Sequence, residues 1–257
     1  MLKKLKAAMG AGAATVDAVL AVGAVRPGDN VTGVVRVEGG DIEQEIERIT
    51  VALETVVEVE SGDNEFRSNQ TFGTQQVTGA LTVGPGDAHE FPFSLPVPWE
   101  TPLTHIGGQG LRGVTMGVRT ELAVARGIDR GDLDPVQVHA LPGQQALIEA
   151  LEALGFGFKG ADVEQGQLPG GSSLPFFQEI EFHAGGQYRG RFNELEVTFL
   201  GGPRETRVVF EADMRGGWFS EGRDTVQWFS IPTAGGRDIH GIVEQQLHAL
   251  GTRRGWF

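Results

Sequence analysis

Residues 25 to 59 read VRPGDNVTGVVRVEGGDIEQEIERITVALETVVEV, and this stretch decides the fold class. Two runs rich in Val, Ile and Thr, Val31 to Glu38 and Glu45 to Val59, are divided by Gly39-Gly40-Asp41 and preceded by Arg26-Pro27-Gly28-Asp29. Polar and apolar residues alternate along much of each run, which is the two-residue period of a half-buried strand. Ile46, Ile49, Val51, Leu53 and Val57 share one face only after a local shift, so the longer run predicts a bulge. The flanking clusters supply the preset proline torsion and the glycine freedom that tight connections need.

The same punctuation continues outward. Val16 to Val22 precedes the stretch, and Thr71 to Val83, Ala88 to Phe93 and Val114 to Ala125 follow it, set off by Ser61-Gly62-Asp63 and Gly84-Pro85-Gly86-Asp87. Many strands with no helix between them predict an antiparallel sandwich. The polar segment GIDRGDLDP, 127 to 135, breaks the pattern and reads as a junction, giving one β domain over 1–130 and a second over 131–257. The second domain opens on a helix near 144–154, where Leu147, Ile148, Leu151 and Leu154 share a face and Gly155 suits the C-terminal cap. Strands follow at Phe158 to Glu164, Gln178 to Phe182, Glu194 to Leu200, Thr206 to Met214 and Thr225 to Ile231. A closing helix is expected over 238–250, with Ile239, Ile242, Val243, Leu247 and Leu250 in one stripe. The class is therefore mainly β, with tandem antiparallel sandwiches and a few short helices.

Composition narrows the function. The chain has no cysteine, which excludes disulfide frameworks, cysteine-ligated zinc, iron–sulfur clusters and thiol nucleophiles. A net charge of −13 repels phosphate backbones, so nucleic acid is not an expected partner. At the N-terminus Lys3, Lys4 and Lys6 precede small apolar residues, but Ala and Gly dominate there and Asp17 interrupts the run. The segment reads as a short helix docked on its own domain rather than an export signal or a membrane-surface helix, and the protein reads as cytoplasmic.

Several segments, in order, resemble the bacterial sporulation-control protein family, whose N-terminal domain is arrestin-like. They are GAGAATVDAVL, VRPGDNVTGVVRVEGGDIEQEIERITVAL, FPFSLPVPWETPLT, VRTELAVARGIDRGDLDPVQV, ALIEALEALGF, LPFFQEIEF and ELEVTFLGG. The resemblance implies two arrestin-like β-sandwiches and no catalysis or cofactor. It also implies a cytoplasmic regulatory or scaffolding role, with other proteins of the cell-division or cytoskeletal machinery as partners. The family's binding positions are not set by a motif, so none is carried over from it.

The remaining motifs have structural readings. Gly108-Gln109-Gly110-Leu111-Arg112-Gly113 and Gly155-Phe156-Gly157-Phe158-Lys159-Gly160 both fit G-x-G-x-x-G. The first precedes a strand pattern and the second follows a helix, the wrong order for a dinucleotide site, so both read as turns and a cap. Glu181 and His183 share a strand face and read as a surface pair. Asp129, Asp132 and Asp134 are the strongest metal candidates, although the calcium-loop order D-x-D-x-D-G is absent and a capped hinge is the favoured reading. They support a competing hypothesis, a carbohydrate- or metal-binding β-sandwich with weak hydrolase activity. Among the aromatics, Trp218, Phe219, Trp228 and Phe229 read largely as core. Trp256 and Phe257 follow Arg253-Arg254 and are candidate partner-binding residues, for another protein or a second copy of the chain, with a tail folded back onto its own core as the equal alternative.

Overall fold

The computed structural model describes residues 12–62, 64–125, 129–168, 171–214, 224–236 and 238–252. The first-half strands are β1 (Thr15–Leu20), β2 (Ala24–Val25), β3 (Asn30–Glu38), β4 (Gln44–Ser61), β5 (Asn64–Thr78), β6 (Leu81–Val83) and β7 (Ala88–Pro96). They continue with β8 (His105–Ile106), β9 (Gln109–Gly110), β10 (Met116–Val124), β11 (Arg130–Pro135) and β12 (Gln137–Val138). Helix α1 (Pro142–Ala153) opens the second half, followed by β13 (Gly157–Gln165), β14 (Phe176–His183), β15 (Phe192–Leu200), β16 (Glu205–Met214), β17 (Asp224–Pro232) and helix α2 (Ile239–Thr252).

Alternation in the opening stretch becomes the first sandwich. Val31, Val35 and Val37 of β3 point inward with Phe93 and Leu95 of β7, and β1, β3 and β7 form one sheet. The facing sheet holds β11, β10 and β4, with β5 and β6 also paired to β4. Its inward residues include Ile49, Val51, Leu53, Val118 and Leu122, all fully buried. The expected slip in β4 is real: pairing with β5 shifts between Ile49 and Thr50 and between Val51 and Leu53. Extra residues there change the face that each side chain takes.

Within the segment read as a junction, Arg130–Pro135 pairs along β10 from Leu122 to Gly117, and beyond it Gln137–Val138 pairs with β2. Strand pairing with the first half therefore runs to Val138 rather than stopping near 130. In the second half, β13 to β17 form one antiparallel run. The opposing layer is helical: Leu147 and Leu151 of α1 and Val243, Leu247 and Leu250 of α2 share the core with Phe182, Leu195, Val197 and Phe210. A helix stripe and a strand face can bury each other as well as two sheets can.

The two halves are joined through one sheet. β10 ends opposite Thr55 of β4, and beyond it Glu58 pairs with Glu164 of β13 in parallel. The distal part of β4 and the start of β5 thus form an arm that lies beside the second half. Most of the buried apolar residues form one connected cluster that extends from Ala14 to Leu250.

Candidate functional site

Five consecutive strands of the large sheet, β4, β13, β14, β15 and β16, each carry an acidic–apolar–acidic triplet. These are Glu58-Val59-Glu60, Asp162-Val163-Glu164, Glu179-Ile180-Glu181, Glu194-Leu195-Glu196 and Glu211-Ala212-Asp213. Because side chains alternate along a strand, the central residue faces one way and both carboxylates the other. In the second half the central residues Val163, Ile180, Leu195 and Ala212 enter the core beneath the helices, so the carboxylates line the opposite face.

Register brings these groups together. Asp162 is opposite Glu179, Glu181 is opposite Glu196, and Glu196 is opposite Glu211. Like charges directly opposite each other are destabilising, and here the pairing holds them there. Burial, reinforced by neighbouring carboxylates, pushes Asp162 up to about 6, Glu164 to about 7, Glu179 to about 8 and Glu196 to about 7. Lys159 lies in the band, with Nζ 3.3 Å from Glu181 and in contact with Glu194, and these contacts raise its affinity for its proton. Arg67 donates to Glu58 at 2.6 Å. Burial acts to raise the Glu58 pKa, but the hydrogen bonds from Arg67 and Glu65 and the Arg67 charge together leave it below its usual range.

The predicted site residues fare differently. Asp132 and Asp134 do come together, but with Asp17 of β1, the three offering oxygens within 4.8 Å of one another. Asp129 is not in the group; its Oδ1 accepts a hydrogen bond from the Val124 amide at 3.0 Å. Burial, then the charges of Asp132 and Asp17, raises the Asp134 pKa. Glu181 pairs with Lys159, while His183 is on the same strand in register with Gly157 and Glu194. Trp256 and Phe257, the expected N-terminal helix, and Trp218 and Phe219 lie outside the described residues.

Both glycine fingerprints serve the backbone. Gly155 has φ of +93° and its amide bonds to the Glu152 carbonyl at 2.9 Å, closing α1, while Gly157 and Gly160 belong to β13. Gly113 has φ of +100°, and a Cβ there would lie 2.0 Å from the Ala161 carbonyl oxygen.

A further feature is β5. Its first residues, Asn64 to Asn69, are exposed, and β5 pairs only with β4 among the described strands. Phe66 is 51% exposed on this edge. An edge strand offers unpaired amides and carbonyls to another chain.

The fold and its open strand define an arrestin-like β-sheet protein. The family model "Spo0M: SpoOM protein" matches residues 2–216. "Sporulation-control protein spo0M" of Bacillus subtilis (strain 168) is 39% identical over 224 residues, covering 85% of this chain and 84% of that protein. The crystal structure of Spo0M from Bacillus subtilis superposes with a TM-score of 0.79 at 33% identity, covering 93% of this chain and 99% of that one. The chain belongs to the Spo0M family. No helix among the described residues is long and apolar enough to cross a membrane.

Proposed function

We propose that this protein is a non-catalytic regulatory scaffold of the sporulation-control type that works in the cytoplasm by binding other proteins. The observation that carries the reading is membership of the Spo0M family combined with the open, 15-residue edge strand β5. An extended segment of a partner adds to this edge through backbone hydrogen bonds, and Phe66 gives the added strand an apolar anchor. Division or cytoskeletal proteins are the expected partners. Crosslinking in cells, with identification of the captured chains, tests the reading. Capture of no protein, together with turnover of a substrate by the purified chain, would overturn it.

Phe66→Ala separates binding from folding. The side chain is half exposed, so Tm is expected to move by no more than about 2 °C. Capture of the partner should fall by about tenfold, the loss of one modest anchor contact. Undiminished capture would remove β5 from the interface. Trp256 and Phe257 are proposed to contact a second copy of the chain, so deleting Arg253 to Phe257 is expected to lower the mass in solution, read by light scattering.

A further inference from the structure

The two halves are stitched together at a place where carboxylates crowd from both sides. On β13, Asp162 and Glu164 present their side chains at the seam, with Lys159 the neighbouring cation. On the β4–β5 arm, Glu58, Glu60 and Glu65 face them, with Arg67 bound to Glu58. Behind β13, Glu179 and Glu181 of β14, then Glu196 and Glu211, extend the same charge across the sheet. The backbone pairing that holds the arm to β13 is a single parallel pair, Glu58 with Glu164. Asp162 Oδ1 is fully buried here without a hydrogen-bond partner.

We propose that the seam between the β4–β5 arm and β13 is a proton-dependent latch: protons shared among these carboxylates hold the arm against the second half, and their loss separates the two. The register supplies the coupling. Asp162 is opposite Glu179 of β14 and Glu164 is opposite Glu58 of the arm, so an added charge on β13 meets repulsion from β14 at one position and from the arm at the other. Among the described residues, the two cations paired with these carboxylates are each already engaged: Arg67 by Glu58, Lys159 by Glu181 and Glu194. The single pair at Glu58 and Glu164 gives the arm little else to hold it by hydrogen bonding.

The sign follows from linkage. Asp162, Glu164, Glu179 and Glu196 hold their protons more tightly folded than unfolded, so the native state carries more protons between the ordinary carboxylate range and about pH 8. Raising pH through that window therefore loosens the fold, and acidifying toward pH 5 tightens it. Unfolding at pH 6.5 is expected to release about three protons.

The absence of native cysteine makes the test direct. Spin labels on Ser68→Cys in β5 and Gln165→Cys in β13 report the arm-to-β13 distance. The expected result is one narrow distribution at pH 5.5 and a broader, longer one at pH 8.5. In the Asp162→Asn/Glu164→Gln background, the distribution should stay narrow at both values. Calorimetric unfolding in buffers of differing ionisation enthalpy counts the protons independently. A distance distribution unchanged between the two pH values, a shift that survives the double substitution, or unfolding at pH 6.5 without proton release would each overturn the latch.

Discussion

Truncating Phe210 to alanine is expected to remove about 3–5 kcal/mol of stability, enough to lower Tm by about 10 °C in a chain of this size. Phe210 is completely buried on β16, between Val197 of β15 and Gln227 of β17 in the register. Its ring meets Phe229 edge-to-face, with centroids 4.8 Å apart and planes at 74°. Removing it deletes apolar burial and the aromatic contact, and leaves a cavity under a layer closed by α2. Neighbouring strands cannot close that cavity without shifting their own pairing, so the cost belongs at the upper part of the range for large-to-small changes. Thermal melting of Phe210→Ala beside Val226→Ala checks the claim. Val226 lies on the next strand but is 37% exposed, and its truncation is expected to cost less than about 1 kcal/mol. Equal losses at the two positions would mean that the helical layer does not seal this core.

The strand plan was legible because apolar alternation persists through most of it. Val31 to Glu38 and Thr206 to Met214 fall within one residue of the observed strands. Where side chains invert the pattern, the signal disappears. In β11, Leu133 is exposed while Asp132 and Asp134 are half-buried, so a paired strand looks like a polar loop. Gly117 makes this inversion fit: an added Cβ at that position would come within 2.7 Å of Leu133. The start of β5 is invisible for a related reason, since Asn64 to Asn69 are exposed and, apart from Phe66, polar, and become a strand through pairing with β4. The helices were readable, but the surface they cover was not. A stripe at 3.6-residue spacing shows that a face is buried without showing whether a sheet or a helix buries it.

The site was present in the sequence in a form that apolar counting overlooks. Five triplets of acidic, apolar and acidic residues are strand patterns whose polar half carries the message. Single triplets are unremarkable on a solvated face. Their meaning comes from topology, which sets all five on adjacent strands, and from register, which sets Glu181, Glu196 and Glu211 opposite one another. Asp17 joined Asp132 and Asp134 for the same reason. Its partners lie more than a hundred positions away, and contact between β1 and β11 across the sandwich has no local signature.

Gly113→Ala is expected to be the most damaging conservative change at the junction of the halves, costing at least about 3 kcal/mol. Two independent penalties meet there. At φ of +100° any Cβ is strained, a cost of about 1–2 kcal/mol for an L residue in the left-handed region. The new carbon would also lie 2.0 Å from the Ala161 carbonyl oxygen, inside any allowed contact, and the obstacle is backbone that cannot rotate away. Ala161 belongs to β13 and is in register with Ile180 of β14, so relief requires moving the strand that the arm of β4 holds. Gly86→Ala is the matched control. It has φ of +75° and nothing within 4 Å of the added Cβ, so it should pay the conformational penalty alone. The difference between the two variants in denaturant unfolding measures the overlap by itself. Hydrogen exchange should then localise it, with β13 amides losing protection in Gly113→Ala and keeping it in Gly86→Ala. Equal destabilisation, or unchanged β13 protection in both, would mean that the β9–β10 loop is not a fixed brace against β13.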